Sequence, residues 1–290
     1  MAAISVTYMA DPACPWAYSA LPDVTTLRWR YGDQLDWRMV MVGLAESTEH
    51  YEKRGYTPAL MAHAPLRFGR YGMPFVLGPR KRVVATGRAC RAVVAARLES
   101  EELGYRALRA LHLAWFTTDE LLDEDDVIAA ALARDPELDG QAIVERIDHP
   151  EVEEAYQRDR AEVRSAERSA SSLQGKTAET DGEERYTAPT LIFEADGTRL
   201  EAGGHQQLPA YDVLVANLEP GLRREPVPDG PLPVLERFTY GLTTREVALV
   251  MTPVNEVPDD AAATSALLIL AAEGRVTREP LGRDALWRAA

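Results

Sequence analysis

The sequence predicts an α/β protein with a large helical insertion and a small C-terminal α/β appendage. Three observations predict it. A strand-like segment, Ile4 to Met9, leads through a helical stretch into a second strand-like segment, Leu35 to Val42. Helical periodicity then holds from about 83 to 173. Strand patterning returns at Thr190 to Phe193, followed by the turn signal Asp196-Gly197 and a last helix at about 208 to 218.

The first segment, Ile4-Ser5-Val6-Thr7-Tyr8-Met9, alternates apolar and polar side chains as a half-buried strand does. The helix behind it stops at Gly32, and a β-α-β unit of this length implies a parallel pair with a helical crossover. Residues 44 to 82 read as irregular, punctuated by Pro58, Pro65, Pro74 and Pro79. In the insertion, Ala89, Val93, Val94 and Leu98, then Leu108, Leu111 and Trp115, recur at helical spacing. Asp135-Pro136 and His149-Pro150 break helix from helix. Residues 171 to 186, polar and glycine-containing, read as a mobile loop. Asp196-Gly197 predicts a hairpin returning through Arg199-Leu200-Glu201.

These elements divide the chain into a main domain at 1–220, a proline-rich linker at 221–233 and a small C-terminal domain at 234–290. The last unit reads as helices near Leu235, Thr244 and Ala261, then a short hairpin, a winged-helix-like pattern. Between 232 and 290 it carries six arginines and eight acidic residues, which argues against DNA binding and for a lid, docking or dimer-contact role. The net charge of −14 likewise disfavours nucleic acid and anionic membrane as partners. No apolar run approaches the roughly 18 residues of a membrane span, and the N-terminus lacks signal-peptide features. Cys14 and Cys90 are too few for a disulfide framework. A reducing cytoplasm is the expected location.

The chemistry points to Asp11-Pro12-Ala13-Cys14-Pro15-Trp16-Ala17-Tyr18. A cysteine at a helix N-terminus meets free N–H groups and the positive dipole end, which favour the thiolate. That reading expects Cys14 to ionise below the ordinary thiol value. Ala17 stands where a Cys-x-x-Cys motif has its second cysteine, so the local resolving partner is missing. Cys90 is either a small buried helix residue or a distant partner for Cys14. Trp16 and Tyr18 either border a ligand or pack the first helical turn. His205 either shuttles a proton near the site or caps the last helix. The loop Arg67 to Phe75, with its aromatics and arginines, is either a lid or a connection packed by its own rings. The other histidines pair with no cysteine at ligand spacing, so no metal site is expected.

The chain resembles the DsbA-like branch of the thioredoxin superfamily over about residues 4 to 220. Within it, the likeness is to FrnE-type proteins and to the 2-hydroxychromene-2-carboxylate isomerase and kappa glutathione transferase group. Asp11 to Trp16 looks like the FrnE-type active-site opening, Ala188-Pro189-Thr190-Leu191 like the cis-proline loop, and Gly203-Gly204-His205 like the turn before the last helix. The resemblance implies a thioredoxin-like fold with Cys14 as nucleophile and Pro189 as the cis-proline; with Pro15, Trp16, Tyr18, Ala188 and His205, Pro189 makes up the candidate binding surface. It implies a single-cysteine thiol–disulfide oxidoreductase whose mixed disulfide is resolved by a small thiol, glutathione or mycothiol, with no tightly bound cofactor. An isomerase or transferase dependent on such a thiol, and a non-catalytic binding protein, are the alternatives. A homodimer is possible in either case.

Overall fold

The computed structural model describes residues 3–179 and 182–290. Strands β1 (Ile4–Ala10) and β2 (Leu35–Met41) pair in parallel, with Val6 opposite Trp37. Their crossover is two helices, α1 (Pro15–Ser19) and α2 (Leu21–Tyr31), where the sequence suggested one. The break at Ala20 follows from Pro22, which has no N–H for the preceding turn but is tolerated in the first turn of a new helix. Gly32 ends α2 with φ +54°, a conformation that costs glycine little.

The stretch expected to be irregular holds three short helices, α3 (Thr48–Lys53), α4 (Pro58–Met61) and α5 (Ala64–Phe68). Pro58 and Pro65 start helices here instead of interrupting chain, because proline suits the first helical positions. The insertion follows as α6 (Gly87–Arg97), α7 (Glu101–Thr117), α8 (Asp125–Leu132), α9 (Gly140–Arg146), α10 (Pro150–Val163) and α11 (Ala170–Leu173). Ser100 and Asp139 cap α7 and α9 by accepting from Leu103 N and Ala142 N. No helix among the described residues is long and apolar enough to cross a membrane.

The expected mobile loop is partly built. Strands β3 (Thr177–Glu179) and β4 (Glu184–Tyr186) pair antiparallel, and Thr177 Oγ1 donates to Glu184 at 2.6 Å. Its polar residues satisfy one another, which a composition argument does not foresee; residues 180 and 181 lie outside the described residues. Strands β5 (Thr190–Ala195) and β6 (Thr198–Gly203) form the hairpin that Asp196-Gly197 predicts, both turn residues having positive φ. β5 runs antiparallel to β1, so the sheet order is β2-β1-β5-β6. Helix α12 (Leu208–Leu218) packs on β5, β6 and α2, while α6, α7 and α10 pack on β2. This is the thioredoxin-like arrangement with its helical insertion.

The C-terminal region comprises α13 (Pro231–Arg237), β7 (Leu242–Thr243), α14 (Thr244–Val250), α15 (Asp260–Ala272), β8 (Val276–Leu281) and β9 (Asp284–Ala289). Its own sheet has the order β7-β9-β8. It is not an independent body, however. Leu235, Val247, Leu267 and Trp287 belong to the same buried cluster as Val6 and Phe193. Glu246 on α14 closes the capping box of its own helix with Thr243 and also pairs with Arg109 of α7, Nη2 to Oε2 at 3.0 Å. Thr25 of α2 donates to the same carboxylate at 2.8 Å. Nor is the proline-rich segment a free linker. Pro231 and Pro233 open α13, Glu225 N donates to Arg30 O at 2.8 Å, and Trp29 Nε1 donates to Pro226 O at 2.9 Å. Proline spacing marks a stretch without regular structure, but it cannot show that neighbouring chain supplies its hydrogen bonds.

Candidate functional site

The end of β1 delivers Asp11 into the core beneath the first turn of α1. Its Oδ1 accepts from Ala13 N at 3.0 Å, and its Oδ2 accepts from Leu44 N at 2.8 Å, Thr86 Oγ1 at 3.2 Å and Cys90 Sγ at 3.4 Å. The Asp11 carbonyl accepts from Cys14 N at 3.0 Å and from His112 Nε2 at 3.0 Å. This carboxylate therefore fixes the loop that presents Cys14. Burial raises its pKa, against the hydrogen bonds that favour its charge. Burial also lowers His112 to about 3, so the ring is neutral, with its proton on the Nε2 that faces the carbonyl.

Cys14 is the N-cap of α1 and is 5% exposed. Its thiol donates to the Ala188 carbonyl at 3.0 Å. The Ala188-Pro189 peptide bond is cis. Two segments 174 positions apart in sequence thus meet at one sulfur. The electrostatics run opposite to the expectation for a helix start. Burial pushes the Cys14 thiol up from 9.0 to about 12, and the Asp11 charge adds to this, while N–H groups of Ala17 and Trp16 and the Arg185 charge pull the other way. A helix of five residues offers little dipole, and desolvation wins. Cys90 is fully buried and shifted well above the ordinary thiol value by burial first; both cysteines are unbridged.

A cavity of about 650 Å³ opens beside Cys14. Pro15, Trp16 and Ala188 line it with the cysteine. Trp16 meets Phe68 edge-on at 4.8 Å between centroids, and Phe68 and Phe75 of the Arg67–Phe75 loop also reach the cavity wall. Three of the candidate binding residues lie elsewhere. Tyr18 is fully buried behind the wall, stacked on Phe116 at 4.6 Å and donating to Pro74 O at 2.8 Å. Pro189 is not among the lining residues. His205 packs on the flank of Trp16 at 5.7 Å and on Tyr71 at 4.7 Å; it does not cap α12, whose N-cap is Gln207. Tyr51, Arg54, Tyr56, Arg80, Trp115, Phe116 and Arg185 line the cavity without any sequence signal having singled them out. One signal was available. From 53 to 82 the sequence has seven lysines and arginines and not one acidic residue.

A parallel-then-antiparallel sheet, a cysteine capping the first helix and a cis-proline loop against its sulfur define a thioredoxin-fold thiol protein. A family profile described as a DSBA-like thioredoxin domain matches residues 5–167, and the chain belongs to that family. Among solved structures, it is similar to a candidate protein disulfide isomerase from Nitrosomonas europaea, 19% identical, covering 74% of this chain and 97% of that one with a TM-score of 0.57. It is also similar to a candidate DsbA oxidoreductase from Streptomyces coelicolor, 15% identical, covering 78% and 93% with a TM-score of 0.50. A cytosolic disulfide reductase from Pseudomonas aeruginosa matches at 20% identity, covering 68% and 88% with a TM-score of 0.47. No curated protein matches the chain in sequence. Members of the DsbA-like family are oxidoreductases or isomerases, and the chain reads as an enzyme of this kind.

Proposed function

We propose that this chain is a single-cysteine thiol–disulfide oxidoreductase of the cytoplasm, in which Cys14 forms a mixed disulfide with a small thiol. The observation that carries the proposal is the placement of the Cys14 sulfur at the wall of a ligand-sized cavity, 3.0 Å from the carbonyl oxygen of Ala188. A backbone segment beside the sulfur can hold a thiol peptide by main-chain pairing.

The exchange balances in two steps. The Cys14 thiol loses its proton and attacks one sulfur of a disulfide R–S–S–R. The Cys14–S–S–R bond forms, and the R–S⁻ that leaves takes up a proton. A second thiol R′–SH then attacks the R sulfur, yields R–S–S–R′ and returns Cys14 as a thiol. Ala17 cannot perform this second attack, so the resolving thiol comes from solution. Cys14 enters and leaves this cycle as a thiol, so the direction of net exchange is set by the disulfides R–S–S–R and R–S–S–R′ and not by the cysteine.

One observation favours a second reading. A buried, protonated Cys14 that already donates to a carbonyl is suited to donate to the sulfur of a bound thiolate. That would make the chain a thiol-dependent isomerase or transferase. The two readings separate by mass spectrometry after exposure to oxidised glutathione and to oxidised mycothiol. A single adduct mapping to Cys14 and absent from Cys14→Ser supports the oxidoreductase. No adduct at any pH, with a bound thiol detected by titration, supports the second reading. Neither adduct nor binding leaves a protein that has kept the fold without the chemistry.

A further inference from the structure

We infer that the cavity beside Cys14 takes an anionic thiol or disulfide, one bearing carboxylates or phosphates, and discriminates against a neutral sugar thiol. This rests on the reading that Cys14 meets a small thiol, and it names the charge of that partner.

The chain as a whole repels anions, with 46 acidic residues against 32 lysines and arginines. The cavity is the exception. Among the described residues no Asp or Glu lines it, while Arg54, Arg67, Arg80 and Arg185 do. Elsewhere in the fold, four buried or nearly buried arginines are matched to carboxylates: Arg30 to Asp212, Arg97 to Asp159, Arg106 to Asp135 and Arg109 to Glu246. At the cavity, Arg54, Arg67 and Arg80 have no such carboxylate partner among the described residues. Arg80 donates to the backbone oxygens of Trp115, Thr118 and Glu120, so it closes the end of α7 with carbonyls and brings its charge unmatched by a bonded carboxylate.

Arg54 and Arg67 have no ion pair among the described residues. Both guanidiniums lie over aromatic faces. Arg54 sits 5.9 and 5.7 Å from the rings of Tyr51 and Tyr56, and Arg67 sits 5.4 Å from both Trp16 and Phe68. A guanidinium held by its flat face keeps its edge N–H donors available, and that edge matches a carboxylate or phosphate. The rings beneath the two arginines are themselves cavity walls. The anion-binding edges and the apolar surface are therefore one construction. It fits a ligand with an uncharged body and charged ends, its sulfur directed at Cys14. A cavity of this size is within the usual range for a small ligand. Mycothiol, a sugar thiol without ionised groups, offers these arginines nothing to pair with.

The test uses thioethers, which bind but form no disulfide. The full chain is titrated calorimetrically with S-methylglutathione, S-methyl-coenzyme A and S-methylmycothiol. At least one anionic thioether should bind about tenfold or more tightly than the mycothiol derivative. Its affinity should fall as salt is raised from low ionic strength to roughly 0.5 M, and should fall several-fold in the Arg54→Gln/Arg67→Gln double variant. Preference for the glutathione thioether assigns carboxylate recognition; preference for the coenzyme A thioether assigns phosphate. Equal or tighter binding of S-methylmycothiol overturns the inference, as does a double variant with unchanged affinity or the absence of binding by either anionic thioether. Should the double variant fold poorly, the ligand comparison and its salt dependence on the unmodified chain still decide. Charge-selective binding without any mixed disulfide at Cys14 would sink the redox reading alone and leave this inference standing.

Discussion

Cys14 should be a slow thiol at neutral pH. Burial raises it from 9.0 to about 12. Each pH unit is tenfold in thiolate population, so the folded chain holds roughly a thousandfold less thiolate than the same cysteine in water. Alkylation proceeds through the thiolate and should slow by a comparable factor. The assay is pulse labelling with iodoacetamide from about pH 7 to pH 11, with peptide mapping to read Cys14 and Cys90 separately and a urea-unfolded chain as reference. The sign of the accompanying stability change is fixed. The folded pKa lies above the unfolded one, so this thiol's contribution is fully present below about pH 9 and is lost as pH rises towards 12. The loss is bounded at about 4 kcal/mol, three tenfold steps of 1.36 kcal/mol, and Cys14→Ser should not show it. Labelling of Cys14 within tenfold of the unfolded reference at neutral pH would refute the account of burial outweighing the helix start.

Other perturbations have expected outcomes. Arg109→Met should cost about 3–5 kcal/mol in urea unfolding, because it strands Glu246 without its partner in the core; a loss under 1 kcal/mol would mean that water reaches the carboxylate. Truncation after Pro231 should give an aggregating or molten chain, judged by near-UV circular dichroism, since it strips α13, α14 and the Trp287 strand from the shared core. Burial alone would raise Glu246, but Arg109 and the hydrogen bonds from Thr243 N and Thr25 hold it below the usual range. Its contribution to stability should therefore persist above about pH 4.3 and fade as acid titrates the folded carboxylate, a dependence that Glu246→Gln should lack. Ala17→Cys should form a disulfide with Cys14 under mild oxidation, read by intact mass, since residues three apart in a helical turn lie within the roughly 7 Å limit between Cα atoms.

Much of this was legible because it depends on local rules. Alternation at Ile4 to Met9, the stop at Gly32 and the Asp196-Gly197 turn each specify backbone geometry within a few residues. So does the assignment of Cys14 to a helix start. What stayed hidden depends on distant chain. The resemblance puts Ala188 at the site, but nothing near Cys14 in sequence shows how completely distant chain buries it, so the helix start alone points the thiol shift the wrong way. Tyr18 and Trp16 are two residues apart and look equally suited to a ligand, yet one faces Phe116 in the core and the other faces the cavity. Helical geometry separates them only once the packing partner is known. Arg54 carries no motif at all, and Arg67 is marked in sequence only as part of a loop rich in aromatics and arginines; the rings beneath both appear only in the fold.

The Arg109–Glu246 pair also bears on how the chain is made. Synthesis proceeds from the N-terminus, and Arg109 is complete 137 residues before its carboxylate exists. Thr25 waits longer still, across 221 positions. At roughly 5–20 residues per second, a ribosome takes on the order of ten seconds to bridge the first gap. Throughout that interval the segment matching the family profile holds a core position occupied by an arginine with no counterion. The final packing around Arg109 therefore forms only once the stretch that carries Glu246 has been made, and that later stretch closes the earlier one.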